Sequence, residues 1–458
     1  MDERTPSSPT STAQPPVTTA RVFAIAGPAM LANLTTPFLG VVATAAIGRL
    51  GESHLLGGVA MASVVFDCMF WLFGFLRMGT VALTAQAQGA GDAPEIRAVL
   101  LRAVLMSVVI GVALLIVQVP LSTAVFGLLG GSEAVTGAAK GYFAIRMWSA
   151  PFVLANYVLL GWLVGQARPG SALALQIVIN AVNMIATVWL VLGLHAGITG
   201  AAIAAVIAEG AGCLAGAVVA WRLLGGRLSV TARTLLDRAQ LSRMLAVNRD
   251  IMIRTAALIA AFLFFTAEGA RAGDNTLAAN AVLNNFMLIG AFFLDGLANA
   301  AEQLCGRSVG AGDRAGFTQA VRLVVIWGFV FAAAVTVLFV ASGGPLIDLI
   351  TTSPQVRETA RIYIWLAALA PLCGVMAYAF DGVYIGATWS RDMRNLMIVS
   401  LGCYFAGWWL LKPFGNAGLW GALLVFLLAR GLLQMARYRG LLRATFTGPD
   451  ATPASLPR

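Results

Sequence analysis

Twelve long apolar stretches constrain the fold of this chain more than any other feature. Each is long enough to cross a bilayer as a helix, which takes about 20 residues. The stretches lie at 22–48, 55–86, 98–120, 139–163, 169–192, 197–221, 244–270, 276–305, 318–342, 358–387, 394–411 and 416–437. They are continuous rather than alternating, which predicts membrane helices and not strands. Only 11% of the residues are charged, which excludes a soluble globular protein because such proteins carry about 25%.

The basic residues indicate how the chain is oriented. Thirty Lys and Arg outnumber 20 Asp and Glu, and they cluster in the loops after even-numbered stretches, as at Arg97, Arg168 and Arg391. Cytoplasmic loops carry such an excess, so we expect both termini in the cytoplasm and a multi-pass protein of the cell's inner or plasma membrane. Since this distribution explains the net charge of +10, we expect no nucleic-acid partner.

The chain also contains an internal repeat. The sequence GAGD at 89–92 recurs at 310–313, and the pattern AGxxGA at 196–201 recurs at 417–422, so both recur at the same offset along the chain. We predict an all-α integral membrane fold with twelve transmembrane helices in two six-helix lobes. Because six spans per repeat is an even number, the repeat is parallel, with a pseudo-twofold axis along the membrane normal.

The domain boundaries follow from the repeat and from composition. We expect Ser/Thr/Pro-rich, disordered cytoplasmic tails at both ends, an Arg-rich cytoplasmic linker between the lobes, and a monomer. The predicted segments are a tail at 1–20, an N-terminal lobe at 21–222, a linker at 223–243, a C-terminal lobe at 244–440 and a tail at 441–458.

Several long blocks of sequence resemble one known family. They include PFLGVVATAAIGRLG at 37–51, GFLRMGTVALTAQAQGAGD at 74–92 and FDGVYIGATWSRDMRN at 380–395. The chain resembles the MATE (multidrug and toxic compound extrusion) family, most closely its DinF-like branch. The resemblance implies an antiporter, not an enzyme, that exports small amphipathic or cationic organic compounds by alternating access in exchange for H⁺ or Na⁺.

Two departures from the family pattern keep other functions open. The N-lobe acids of the family are replaced here by Ala43 and Thr187, which cannot titrate. One alternative is therefore an uncoupled or non-transporting relative, and another is a flippase for lipid-linked precursors from the same superfamily. We expect membrane lipid around the protein, and no cofactor or metal, because the five cysteines form no CxxC pair and only two histidines occur.

Acids within the apolar stretches are the candidates for ion coupling, since a charge inside the membrane costs a few kcal/mol on insertion scales and needs a reason. The candidates are Asp381, Asp295, Glu302, Glu209 and Asp67. The resemblance puts Asp381 first. Asp295 and Glu302 share a helix face and would either line the cleft or meet Arg430, which occupies the repeat position of Glu209.

Uncharged polar residues in the same stretches are candidates for a substrate cleft. They are Asn156, Asn180, Asn183, Asn280, Asn284 and Thr187. In the first stretch, Pro28 and Pro37 each remove a backbone hydrogen bond, and the resemblance implies that they form a hinge.

Overall fold

The computed structural model describes residues 16–49, 51–226 and 230–447, and α-helices make up most of them. The helices are α1 Thr19–Gly48, α2 Ser53–Leu72, α3 Phe75–Gly89, α4 Ala93–Leu129, α5 Glu133–Arg146, α6 Ala150–Gly165, α7 Pro169–Val188, α8 Gly197–Leu223, α9 Ala232–Leu235, α10 Arg238–Arg271, α11 Asp274–Gly310, α12 Arg314–Ile350, α13 Pro354–Gly386, α14 Ser390–Leu411 and α15 Gly415–Thr447. We call α1–α8 the N-terminal bundle and α10–α15 the C-terminal bundle.

The described residues contain 11 helical segments long and apolar enough to span a membrane. The last of these segments, Ser390–Thr447, has 58 residues and contains both α14 and α15. A short 3-10 turn at Lys412–Phe414 separates these two helices, which then pack against each other. The molecule is therefore an all-α membrane protein.

Two helices extend beyond the predicted domain boundaries. Helix α15 continues to Thr447, beyond the expected start of a disordered tail at 441, because its end packs on the bundle: Trp389 Nε1 donates to Thr445 Oγ1 at 3.1 Å. The linker is shorter than 223–243, since the side chain of Asp237 caps α10 by accepting from the backbone N–H of Ala239. Residues 1–15 and 448–458 of the predicted tails lie outside the described residues.

The helix boundaries follow the repeat predicted from the sequence. Helix α4 at Ala93–Leu129 corresponds to α12 at Arg314–Ile350, with both ends shifted by the offset that relates the two GAGD segments. The capping residues correspond as well, because Asp92 and Asp313 each accept a hydrogen bond from a backbone N–H three residues later. The two halves thus share local structure as well as sequence.

Packing inside each bundle also repeats. Gly161 of α6 lies against the backbone carbonyl of Arg77, and Gly382, its counterpart in the second half, lies against the carbonyl of Ala298. Neither glycine has room for a Cβ atom, so these helices approach closely, as small residues allow in membrane bundles. The close approach fixes the backbones of α3 on α6 and of α11 on α13.

The two bundles meet closely where α3 and α11 end. Gly89 lies against the backbone carbonyl of Arg307, and Gly310 lies against that of Gln86. Arg243 of α10 also donates to Gln86 Oε1 at 2.5 Å. We call these five residues the closed end.

The starts of α2 and of α11 lie far from the closed end, and each packs within its own bundle. Near the start of α2, Gly58 lies against Ala138 of α5. Near the start of α11, Asn275 donates to Thr359 of α13 at 2.8 Å. The bundles are thus joined at the closed end, whereas the starts of α2 and α11 contact only helices of their own bundle in these two places.

Candidate functional site

Asp381 lies at the centre of a buried ion cluster in the C-terminal bundle. Its side chain is 7% exposed, and its Oδ2 atom forms ion pairs with Arg254 of α10 and with Arg430 of α15, the latter at 2.6 Å. Gln434 donates to the Oδ1 atom at 2.8 Å. Both carboxylate oxygens therefore have strong partners, and the cluster ties α10, α13 and α15 together.

Asp295 and Glu302 of α11 lie beside this cluster, but neither forms an ion pair with any residue that the structure describes. Glu302 is 2% exposed, and within the described ranges its Oε2 atom is buried without a hydrogen-bond partner. Its charge interacts with those of Arg77, Asp295 and Arg254. Asp295 is half-buried and interacts with the charges of Arg77, Arg254 and Arg430. Both acids are therefore close enough to arginines to interact electrostatically, but within the described ranges they form no ion pair with them.

Arg77 brings the N-terminal bundle into the same site. The helix is interrupted at Phe73 and Gly74, between α2 and α3. Arg77 therefore lies in the first turn of α3. Its Nη1 atom donates across the interface to Asn299 Oδ1 of α11 at 2.5 Å. Asp295, Asn299 and Glu302 follow one another at helical spacing, so Arg77 meets the face of α11 that carries both acids.

The N-terminal bundle has a polar cluster of its own around Glu209 of α8. Asn156 of α6 donates to Glu209 Oε2 at 2.7 Å and to its backbone carbonyl at 2.9 Å. Arg146 lies within electrostatic range of both Glu209 and the exposed Asp67. Glu209 and Arg430 thus each bind a residue of their own bundle, Asn156 and Asp381 respectively.

Two tyrosines that sequence reasoning missed occupy matching places in the bundles. Tyr157 and Tyr378 are related by the same offset as the two GAGD segments, and both are half-buried. Tyr157 lies near the charges of Glu209 and Arg77, whereas Tyr378 lies near Asp295 and two arginines. The repeat offset, applied to Tyr157, would have identified this pair.

One predicted cleft residue has its side chain engaged between two helices. Asn280 is 3% exposed and exchanges two amide hydrogen bonds with Asn416, at 2.8 and 2.9 Å. Its Oδ1 atom also accepts from Trp420 Nε1 at 2.9 Å. Its side-chain amide is thus engaged in joining α11 to α15 in this structure.

The remaining predicted polar residues lie on α7 and α11. Asn180 of α7 is buried and donates to Thr35 of α1 at 2.9 Å. Thr187, also buried, donates to Asn183 at 3.2 Å, so the position that is acidic in the family pattern makes a local hydrogen bond here. Asn284 of α11 is half-buried and stays a candidate for the cleft.

Helix α1 runs unbroken from Thr19 to Gly48 through both predicted hinge prolines. Pro28 is half-buried, and the side chain of Pro37 lies outside the described side chains. The hinge stays a prediction. Within the described part of the chain, no group of three His, Cys, Asp or Glu residues is arranged to hold a metal ion.

Comparisons with known proteins agree with this architecture. The MatE family model matches residues 28–189 and 251–409. The DNA damage-inducible protein F of Escherichia coli (strain K12) is 37% identical over 420 residues, which cover 91% of each chain. A probable multidrug resistance protein NorM of Caulobacter vibrioides is 28% identical over 442 residues, covering 91% of this chain and 90% of that one.

Solved structures share the same fold. The crystal structure of MATE in the straight conformation superposes with a TM-score of 0.85 at 17% identity, covering 94% of this chain and 97% of the other. Identity this low shows the fold alone. The family match and the relative at 37% identity together show that the chain belongs to the MatE family of membrane transporters, which are not enzymes.

Proposed function

We propose that this protein is a secondary active exporter, which moves amphipathic or cationic organic compounds out of the cell in exchange for H⁺ or Na⁺. The names of relatives such as the Caulobacter multidrug resistance protein support efflux of small drug-like compounds. The substrate would enter a cleft between the bundles, and rocking of the bundles would expose it to each side in turn.

The proposed architecture has twelve spans in two six-helix lobes related by a pseudo-twofold axis along the membrane normal. The equal shift of both bounds between α4 and α12 supports this repeat. The division of Ser390–Thr447 into α14 and α15 supports the twelfth span. The arginine-rich loops support an inner or plasma membrane location with both termini in the cytoplasm.

In this orientation, the closed end lies on the cytoplasmic side. Gly89 and Gly310 immediately precede turns that lead to Arg97 and Arg314, which the distribution of basic residues assigns to the cytoplasmic side. The close contact of the bundles there supports a state that is closed to the cytoplasm and opens its cleft outward.

The acids of α11 are the proposed coupling site. The observation that carries this proposal is the buried Oε2 atom of Glu302, which has no hydrogen-bond partner among the described residues. A coupling acid must bind and release its ion in each cycle, so it cannot be permanently engaged. Asp381 is engaged by Arg254 and Arg430, whereas Asp295 and Glu302 have no ion pair among the described residues. We therefore place Asp295 and Glu302 ahead of Asp381.

The test is efflux of a fluorescent lipophilic cation from proteoliposomes, with a pH gradient and a Na⁺ gradient imposed separately. The proposal expects one of the two gradients to drive accumulation against the dye gradient. The second candidate function is an uncoupled relative, favoured by Ala43 and by the local hydrogen bond of Thr187. Equilibration of several dyes without drive by either gradient would indicate that candidate and contradict the first.

A further inference from the structure

The charges around the α11 acids balance only when one residue of the N-terminal bundle is included. In the C-terminal bundle, the acids Asp295, Glu302 and Asp381 face only two arginines, Arg254 and Arg430, among the described residues. Arg77 supplies the third positive charge from across the interface. Buried charges are stable only when they are compensated, so when all three acids are ionised the site depends on a cation from the other bundle.

Arg77 reaches this site through a defined contact. Its Nη1 atom donates to Asn299 Oδ1 at 2.5 Å, and Asn299 is only 7% exposed. Asn299 lies four residues after Asp295 and three before Glu302, so the guanidinium contacts the face of α11 that carries both acids. The charge of Arg77 acts on both acids.

The backbone of α3 at Arg77 cannot move away from the site independently of the N-terminal bundle. Gly161 of α6 lies directly against the carbonyl of Arg77, which fixes the backbone there to the N-terminal bundle. The guanidinium can therefore leave α11 only by rotating its side chain or by moving with the whole bundle. Its position thus depends on the separation of the two bundles.

We propose that Arg77 is the resident cation of the α11 acids, and that the transported proton or cation takes its place. This inference rests on the proposed coupling site and deepens it. When H⁺ or Na⁺ binds at Glu302 or Asp295, one negative charge of the site is neutralised and the three arginines outnumber the remaining negative charges. The electrostatic attraction between Arg77 and α11 then weakens. Arg77 is thus a positioning residue that links the charge state of α11 to the contact between the bundles.

Other groups near Glu302 do not provide this link. From α10 it faces Arg254, which is paired with Asp381, and from its own helix it faces Asp295. On the neighbouring helices α13 and α15, Asp381 is paired with Arg430, and Tyr378 lies near Asp295; all of these residues belong to the C-terminal bundle. In the described part of the chain, Arg77 is the cation that acts on Glu302 from the other bundle.

Chemical rescue tests the proposal. Arg77→Ala should lower gradient-driven efflux by about tenfold, the effect of losing one charge-assisted hydrogen bond. Low-millimolar guanidinium should restore much of the rate and raise the melting temperature of the purified variant, because it refills the cation site. Urea at the same concentration, a neutral molecule of similar shape, should do neither. Arg437→Ala is the control, since that exposed arginine pairs with Asp392, away from α11.

Two further variants keep the test decisive if Arg77→Ala does not fold. Arg77→Lys should retain gradient drive because it keeps the charge, and Arg77→Gln should lose drive although it keeps a hydrogen-bond donor. Equal behaviour of these two variants, or rescue by urea as well as by guanidinium, overturns the proposal. The melting measurement needs no transport, so it separates failure of this inference from failure of the proposed exporter function.

Discussion

Asp381, the first coupling candidate in the sequence, is buried in an ion cluster in the fold. Its carboxylate holds Arg254 and Arg430 together with Gln434, and the side chain is 7% exposed. Replacing a buried acid of this kind leaves two arginines without compensation. The cost of breaking such a buried pair is about 3–5 kcal/mol.

We therefore expect Asp381→Asn to lower the free energy of unfolding by about that amount. Thermal unfolding of the purified protein in detergent measures the loss. Asp392→Asn is the matched control, because it removes an exposed ion pair with Arg437 and should cost less than about 1 kcal/mol. An Asp381→Asn variant as stable as this control would contradict the structural role.

Asn280 gives a second prediction at the scale of single residues. Asn280→Ala leaves the polar groups of Asn416 and Trp420 unpaired in a buried site, which costs about 1–3 kcal/mol. The melting temperature should fall, while the KM for a transported dye stays unchanged. Asn284→Ala, at the half-buried cleft candidate, should show the opposite pattern. A changed KM for Asn280→Ala would restore it as a cleft residue.

The sequence identified acids within the membrane-spanning helices but not their partners. An acid in an apolar stretch stands out because of its cost in the membrane, so Asp295, Glu302 and Asp381 could be found without a structure. Which arginine meets which acid depends on how helices distant in sequence are rotated against each other. No local pattern carries that information, so the contact between Arg77 and Asn299 was not predicted.

At the scale of helices, the closed end depends on two glycines. Gly89 and Gly310 lie against backbone carbonyls of the opposite bundle, where a side chain has no space. Both begin a GAGD segment, and the recurrence of that segment made the repeat visible in the sequence. The contacts of these glycines with the opposite bundle could not be predicted, because a sequence repeat shows that two halves are similar but not which of their residues touch.

Gly310→Val should therefore hold the closed end apart. In a cysteine-free background, a cysteine replacing the fully buried Ala85 on α3 should react with a maleimide several times faster when Gly310→Val is present. Gly402→Ala in α14 is the control, because a Cβ atom at that position meets nothing within 4 Å. Unchanged labelling in Gly310→Val would show that the bundles tolerate the side chain without separating.

At the scale of the whole molecule, two similar bundles carry different charges at matching positions. Position 209 is Glu in the N-terminal bundle, and its counterpart 430 is Arg in the C-terminal bundle. In the first half, Ala43 and Thr187 replace the acids of the family pattern. In the second half, Asp295 and Glu302 lie on α11, near Arg77 of the N-terminal bundle. This asymmetry favours coupling through the C-terminal bundle.

The most direct test of this account compares the wild-type protein with Asp295→Asn/Glu302→Gln in proteoliposomes. We predict that the double variant loses dye accumulation driven by the pH or Na⁺ gradient. It should retain exchange of labelled for unlabelled dye, which needs an intact cleft but no coupling ion. Gradient-driven accumulation at the wild-type rate in the double variant would contradict the assignment of coupling to α11.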